Sequence, residues 1–265
     1  MLRQGLKVID EEGFLTFIRK TMNYIYSYYL VGPIMFLVVR IFKRRLKSLS
    51  GIEGAVELAF SFKCLGISIR PMQIKWELLQ FLRTIAASNP KNVLEIGTAD
   101  GGTLFLLAQA SSPEAVLISI DLRDFRYRGQ LYKRFAKQTQ QIHLIRGDSH
   151  SMDTLEKVIR ILNGAKLDCL FIDADHTYEG VKKDFLMYSP LVREGGLIAF
   201  HDIVKYPSSA VYEQVNRFWM EISRCYAGRE IIQSPTQESC GIGLIVKESV
   251  KDLGNFDSRP STVNE

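Results

Sequence analysis

The chain has 265 residues, 46% hydrophobic and 24% charged, which is the make-up of an ordinary globular protein with room for one large α/β domain and an extension. Its net charge of +5 is unevenly placed: residues 1–50 carry nine Lys/Arg against three Asp/Glu, and the remainder is close to neutral, which excludes a basic nucleic-acid-binding face on the main body. Four cysteines (Cys64, Cys169, Cys225, Cys240) without C-x-x-C spacing exclude a disulfide framework and a structural zinc site, and fit a reducing compartment.

In residues 1–50 the apolar positions Leu6, Ile9, Phe14, Phe17 and Ile18 have helical spacing, interrupted by Gly13. "TMNYIYSYYLVGPIMFLVV" then runs from 21 to 39 without a charge, and "RIFKRRLK" follows. The length fits a bilayer span, but the tyrosines, Asn23 and Gly32-Pro33 favour a segment (21–47) lying at a membrane surface. The alternative is a helical pair packed on the domain or on a second subunit. The N-terminus lacks the pattern of a cleavable signal, and if the segment spans, the basic cluster at 40–47 predicts a cytoplasmic downstream domain.

From about residue 70 the elements alternate. "PMQIKWELLQFLRTIAAS" reads as a helix, "NVLEIG" (92–97) as a strand, "GTLFLLAQA" as a helix and "AVLISID" (115–121) as a strand. "GQLYKRFAKQ" reads as a helix, "IHLIRGD" (142–148) as a strand, "MDTLEKVIRIL" as a helix and "LDCLFID" (167–173) as a strand. A helix at "YEGVKKDFLMYSPLV", a strand at "GGLIAFHD" (195–202) and a helix at "AVYEQVNRFWMEI" follow. "REIIQS" and "CGIGLIVK" pair as a hairpin around "PTQE", and 248–265 is a polar tail. Nearly all-apolar strands alternating with helices predict a mainly parallel sheet covered on both faces. The expected organisation is an extension (1–50), one α/β domain (51–247) and the tail.

In such a sheet, ligands bind beyond the carboxyl ends of the strands. The first strand delivers "EIGTADGG". Compared with the dinucleotide fingerprint G-x-G-x-x-G, Ala99 stands where a glycine normally admits a pyrophosphate, and Asp100 would repel one. The loop suits a ligand without phosphates, and E-x-G-x-x-x-G (Glu95, Gly97, Gly101) is a pattern common in S-adenosylmethionine enzymes. Asp121 ends the second strand, where an acid can accept ribose hydroxyls. Asp148 and Ser149 follow the third and can meet an adenine edge; a helix N-cap is the alternative for Ser149 or Ser151. Asp173, Asp175 and His176 follow the fourth strand, and His201 and Asp202 end the fifth. Asp173 and Asp202 should meet at one cleft, with His176 and His201 beside them, as a site for a divalent cation. Asp175 reads as a helix cap.

Together "VLEIGTADGGTLFLLA", "IRGDSH", "FIDADHTYEGVKKDF" and "LVREGGLIAFHDI" resemble the class I S-adenosylmethionine-dependent methyltransferases, of the group related to cephalosporin hydroxylase and macrolide-sugar O-methyltransferases, over roughly residues 52–246. The resemblance implies a Rossmann-like, doubly wound seven-stranded sheet, mostly parallel with a final antiparallel strand. It implies S-adenosyl-L-methionine held by Glu95, Gly97, Thr98, Gly101, Asp121, Asp148 and Ser149. In metal-dependent relatives, an acid ending the fourth strand and an acidic pair ending the fifth hold Mg²⁺. Asp173 and Asp202 match two of those positions, and His201 stands at the third. His176 has the spacing of a general base.

The expected activity is O-methylation of a hydroxyl on a sugar, glycan or other small natural product, with His176 and Asp173 catalytic and a divalent cation on Asp173, His201 and Asp202. An NAD-dependent oxidoreductase is a second reading, opposed by Ala99 and Asp100. A non-catalytic, membrane-tethered cofactor-binding protein is a third. No nucleic-acid partner is expected. Contact with the cytoplasmic face of a membrane through residues 21–47 is, and the sequence leaves oligomeric state open.

Overall fold

The computed structural model describes residues 32–137, 139–206 and 214–248. The helical pattern at 6–18, the uncharged residues 21–31 and the tail from 249 onward lie outside the described residues.

The chain opens with α1 (Gly32–Leu46) and α2 (Gly51–Ser61), a two-stranded hairpin of β1 (Lys63–Cys64) and β2 (Ile67–Ser68), and α3 (Lys75–Ser88). The alternating body follows: β3 (Asn92–Ile96), α4 (Gly102–Ala110), β4 (Val116–Asp121), α5 (Gly129–Tyr132), β5 (Gln141–Arg146), α6 (Met152–Leu162) and β6 (Leu167–Ile172). It ends with α7 (Tyr178–Tyr188), β7 (Val192–His201), α8 (Val215–Cys225), β8 (Arg229–Ile231) and β9 (Ile242–Val246). The seven-stranded sheet runs β5-β4-β3-β6-β7-β9-β8. Strands β3 to β7 pair in parallel; β9 inserts antiparallel between β7 and β8. This is the expected Rossmann-like architecture with its final antiparallel strand.

Side chains alternate between two faces of the sheet, as strand geometry requires. Val93, Leu117, Cys169, Phe171, Ala199 and Leu244 pack beneath α1 to α4. Leu94, Ile118, Leu170, Ile172, Phe200 and Ile245 pack against α6, α7 and α8. Two-sided burial is why the strands read as unbroken apolar runs.

Two segments differ from expectation. The helix foreseen at 129–138 is a single turn, because the chain then turns so that Tyr132 and Phe135 enter the core and Lys137 Nζ donates to the carbonyls of Gln109 and Ser111 at 2.8 and 2.7 Å. Residues 32–46 form part of the domain fold: α1 buries Met35, Val38 and Phe42, and the Phe42 ring sits 5.2–5.4 Å from those of Phe62, Phe105 and Phe135. Pro33 falls in the first turn of α1, where its missing N–H costs nothing. Among the described residues, no helix is long and apolar enough to cross a membrane.

Candidate active site

Strand order reverses between β3 and β6, and the cleft opens at their carboxyl ends, the switch point where open α/β sheets bind ligands. The Asp173 N–H donates to the Ile96 carbonyl at 2.9 Å, and a Cβ on Gly97 would stand 1.9 Å from the Asp173 carbonyl oxygen. Gly97 has φ of 98°, so both conformation and space demand glycine there. A cavity of about 880 Å³ extends from this loop across the sheet edge. That volume lies within the usual range for small-molecule sites.

Gly97, Thr98, Asp121, Asp148 and Ser149 line this cavity. The Ala99 N–H donates to Asp121 Oδ2 at 2.8 Å, so Asp121 braces the loop as well as facing the cavity. Ala99 itself has φ of 45°, a conformation that L-residues rarely adopt. Asp100 is held by Arg128 at 3.0 Å.

Two expected cofactor residues stand behind this wall. Glu95 shares the face of Val93 and is wholly buried; Ser119 Oγ donates to its Oε2, and Thr98 Oγ1 pairs with Ser119 Oγ at 2.6 Å. Burial pushes the Glu95 carboxyl up to about 8, Ser119 opposing the rise. Gly101 backs onto Tyr132, whose ring atom would lie 2.5 Å from an added Cβ. Neither residue lines the cavity.

Beside the glycine loop, Asp173, His176, His201 and Asp202 converge as the sequence predicts. His201 Nδ1 lies 3.1 Å from Asp173 Oδ1 and 3.1 Å from Asp202 Oδ2. His176 bridges the same acids, Nε2 to Asp173 Oδ1 at 3.5 Å and Nδ1 to Asp202 Oδ2 at 3.3 Å. Burial alone would raise the Asp173 carboxyl, but the His201 and His176 imidazoles outweigh it and hold it well below the usual carboxylate range. Burial likewise would lower His201, yet Asp173, Asp202 and Cys240 lift it well above the ordinary imidazole value. Each group thus favours the charged form of the other.

Asp175 does not cap α7. Thr177 is the N-cap, its Oγ1 accepting from the Gly180 N–H at 3.0 Å, while Asp175 Oδ1 accepts from the Thr177 N–H in a local turn. Ser149 is not a cap either: Ser151 occupies the N-cap position of α6, without a side-chain bond, and the Ser149 carbonyl accepts from Tyr188 Oη at 2.8 Å.

Three contributors stand outside the sequence expectations. Gln73 Nε2 donates to Asp173 Oδ2, Tyr206 Oη donates to Asp202 Oδ1 at 2.9 Å, and Cys240 lines the cavity beside His201 and Asp202. All three come from loops, where no periodicity announces a role. The "CG" before the last strand was the available signal for Cys240.

Residues 94–203 match the sequence family described as "Methyltransferase domain". The chain is 29% identical over 158 residues to uncharacterized protein R132 of Acanthamoeba polyphaga mimivirus, covering 58% of this chain and 70% of that protein. It is 32% identical over 115 residues to tapetum-specific methyltransferase 1 of Arabidopsis thaliana, covering 42% of this chain and 46% of that one. Among solved structures, it superposes on an O-methyltransferase from Bacillus cereus in complex with SAH, with a TM-score of 0.53 and 16% identity over 74% of this chain and 90% of the other.

Proposed function

We propose that this chain, whose residues 94–203 match a methyltransferase domain, transfers a methyl group from S-adenosylmethionine to a hydroxyl of a sugar, glycan or other small natural product. The observation that carries this reading is His176 set between the carboxylates of Asp173 and Asp202, in the cavity that the glycine loop also lines.

The cavity walls carry six aspartates (Asp100, Asp121, Asp148, Asp173, Asp175 and Asp202) against two arginines (Arg70 and Arg123), an acidic excess suited to a sulfonium cation. Asp121 would accept the ribose hydroxyls, Asp148 and Ser149 would meet the adenine edge, and Glu95 would act indirectly, through Ser119 and Thr98. In the reaction the acceptor oxygen forms a bond to the methyl carbon, the carbon–sulfur bond breaks and the sulfonium becomes a neutral thioether. The hydroxyl proton passes to His176 Nε2, while Asp202 orients the ring through Nδ1 and Asp173 stabilises the imidazolium that forms.

Asp173, Asp202 and His201 would hold a divalent cation. An oxygen of each acid lies 3.1 Å from His201 Nδ1, so carboxylates and an imidazole stand together as such a donor set requires. When bound, it would lower the acceptor hydroxyl pKa.

Asp173→Ala and His176→Ala should each reduce methyl transfer from labelled S-adenosylmethionine by at least about a hundredfold. Full activity in both variants would sink the assignment.

Contact with a membrane surface is also part of this proposal. It is supported by α1, which leaves Phe36 and Leu37 67% and 44% exposed beside exposed Arg40, Lys43 and Arg44. Phe36→Asp should abolish co-sedimentation with anionic liposomes; equal sedimentation would remove the idea.

A further inference from the structure

We propose that the cation of this site is a borderline transition metal of the zinc class and that Cys240 is one of its ligands, together with His201 and Asp202. The inference rests on the methyltransferase reading and deepens it.

His201 supplies the first observation. Its side chain is only 4% exposed, and Nδ1 stands 3.1 Å from Asp173 Oδ1 and equally 3.1 Å from Asp202 Oδ2, so Asp202 must turn from Nδ1 to reach a cation on the other nitrogen. The other ring nitrogen, Nε2, is buried with no hydrogen-bond partner among the described residues. An orphaned buried imidazole nitrogen whose opposite nitrogen is fixed by a carboxylate is the arrangement of a metal-ligating histidine. Asp173 then orients His201 and does not itself bind the ion, so that Cys240 replaces it in the donor set given above.

The second observation is the company His201 keeps. Ligand atoms of His201, Asp202 and Cys240 all lie within 4.8 Å of one another. A tetrahedral cation with bonds of about 2.0–2.3 Å holds its donors roughly 3.3–3.8 Å apart, so closure needs side-chain adjustment of about 1 Å. Three protein ligands leave the fourth position open toward the cavity, as in catalytic zinc sites.

The third observation is backbone conformation. Asp202 and Cys240 both have positive φ, 61° and 64°, and neither is glycine. Such strain persists where the surroundings over-determine it, and it collects at ligand sites. Here the Val204 N–H donates to the Cys240 carbonyl at 3.0 Å, and the next N–H, of Gly241, donates to the buried Glu77 Oε2 at 3.0 Å. The two loops that present Asp202 and Cys240 are thus tied together and to α3.

The donor chemistry decides which cation. Mg²⁺ takes oxygen ligands in near-ideal octahedra. One carboxylate, one imidazole and one thiolate select a softer ion.

The test is a cobalt titration of the full chain after chelator treatment. Co²⁺ should give an intense tetrahedral spectrum with a thiolate-to-cobalt charge-transfer band, saturating at one equivalent. Zn²⁺ should erase the band, and excess Mg²⁺ should not. Cys240→Ser should lose the band and bind Co²⁺ at least tenfold more weakly, while Cys225→Ser keeps both. Zn²⁺ should also shield Cys240 of the unmodified protein from alkylation, a readout that needs no variant. Absence of cobalt binding, a spectrum without the charge-transfer band, unchanged behaviour of Cys240→Ser, or displacement by Mg²⁺ would each overturn the proposal. Binding of S-adenosylhomocysteine to the chelated protein separates the two readings: its failure counts against the cofactor assignment and leaves the cobalt result standing.

Discussion

Gln73 Nε2 donates to Asp173 Oδ2 at 2.6 Å, joining two residues a hundred positions apart in the chain. The Gln73 amide is itself oriented, because its Oε1 accepts from Thr103 Oγ1 at 3.1 Å. With Oδ2 engaged, Asp173 turns Oδ1 to His176 and His201. Gln73→Leu keeps the bulk and removes the bond. We expect kcat to fall roughly tenfold, corresponding to the 1–2 kcal/mol of a hydrogen bond to a charged group, with a smaller change in cofactor KM. Steady-state kinetics with each substrate varied in turn would show it; an effect confined to cofactor KM would refute the positioning role.

Asp121 has two tasks, and its removal should reveal both. It accepts the Ala99 and Arg123 N–H groups at 2.8 and 2.7 Å, and its carboxylate faces the cavity. Asp121→Ala should weaken S-adenosylhomocysteine binding by about 10–100-fold, as expected for a charged acceptor serving a neutral donor pair. Calorimetric titration would measure it, and unchanged affinity would move the ribose elsewhere.

Much of this architecture was legible because burial on both faces writes an unmistakable pattern. The runs at 92–97, 115–121, 142–148 and 167–173 each became a strand within a residue or two, and the acids that end the last three, Asp121, Asp148 and Asp173, arrived at one cleft. What escaped notice had no period. Glu95 looked like a cofactor residue from its spacing, yet in a strand alternate side chains go to opposite faces, and Glu95 goes with Val93 into the helix-covered layer. Cys240 and Gln73 act from loops, through contacts 38 and 100 residues away in sequence that only tertiary folding creates. Residues 32–46 hid their role differently: their apolar content suits a bilayer and a protein core equally, and the Phe42 contacts decide for the core along one stripe only.

That stripe can be tested. Phe42 is wholly buried at the centre of an aromatic cluster that ties α1 to α2 and α4. Phe42→Ala should destabilise the domain by about 3–5 kcal/mol, the usual cost of emptying a buried aromatic site. Urea denaturation would register it as a lower midpoint at unchanged slope. A neutral result would mean that α1 is dispensable to the fold.

Gly97→Ala should be as severe for a different reason. The new methyl would lie 1.9 Å from the Asp173 carbonyl oxygen, which is backbone and cannot swing aside, and φ of 98° is hostile to alanine. A loss of at least about 3 kcal/mol, or a Tm lower by roughly 6–12 °C, is expected. Any residual folded protein should also have lost methyl transfer, because the same clash displaces Asp173. Thermal denaturation and the activity assay together check the pair.

Glu95 offers a prediction whose sign follows from burial. Its carboxyl titrates near 8 in the folded protein, against 4.5 as the ordinary value, with desolvation as the largest cause and Ser119 opposing it. Between those two values the folded state holds a proton that the unfolded state has released. The contribution to stability is therefore complete below about pH 4.5 and is lost as pH rises through 8. The total change is at most about 5 kcal/mol. Glu95→Gln imitates the neutral acid and cannot ionise. The variant should match the wild type near pH 5 and exceed it near pH 9, and the difference between the two denaturation free energies should widen steadily across that interval. Because Glu95 reaches the cavity only through Ser119 and Thr98, the same substitution should leave S-adenosylhomocysteine affinity within a few-fold of the wild type at pH 7. A pH-independent difference would mean that Glu95 is ionised in the folded protein, with its charge met by a group other than Ser119.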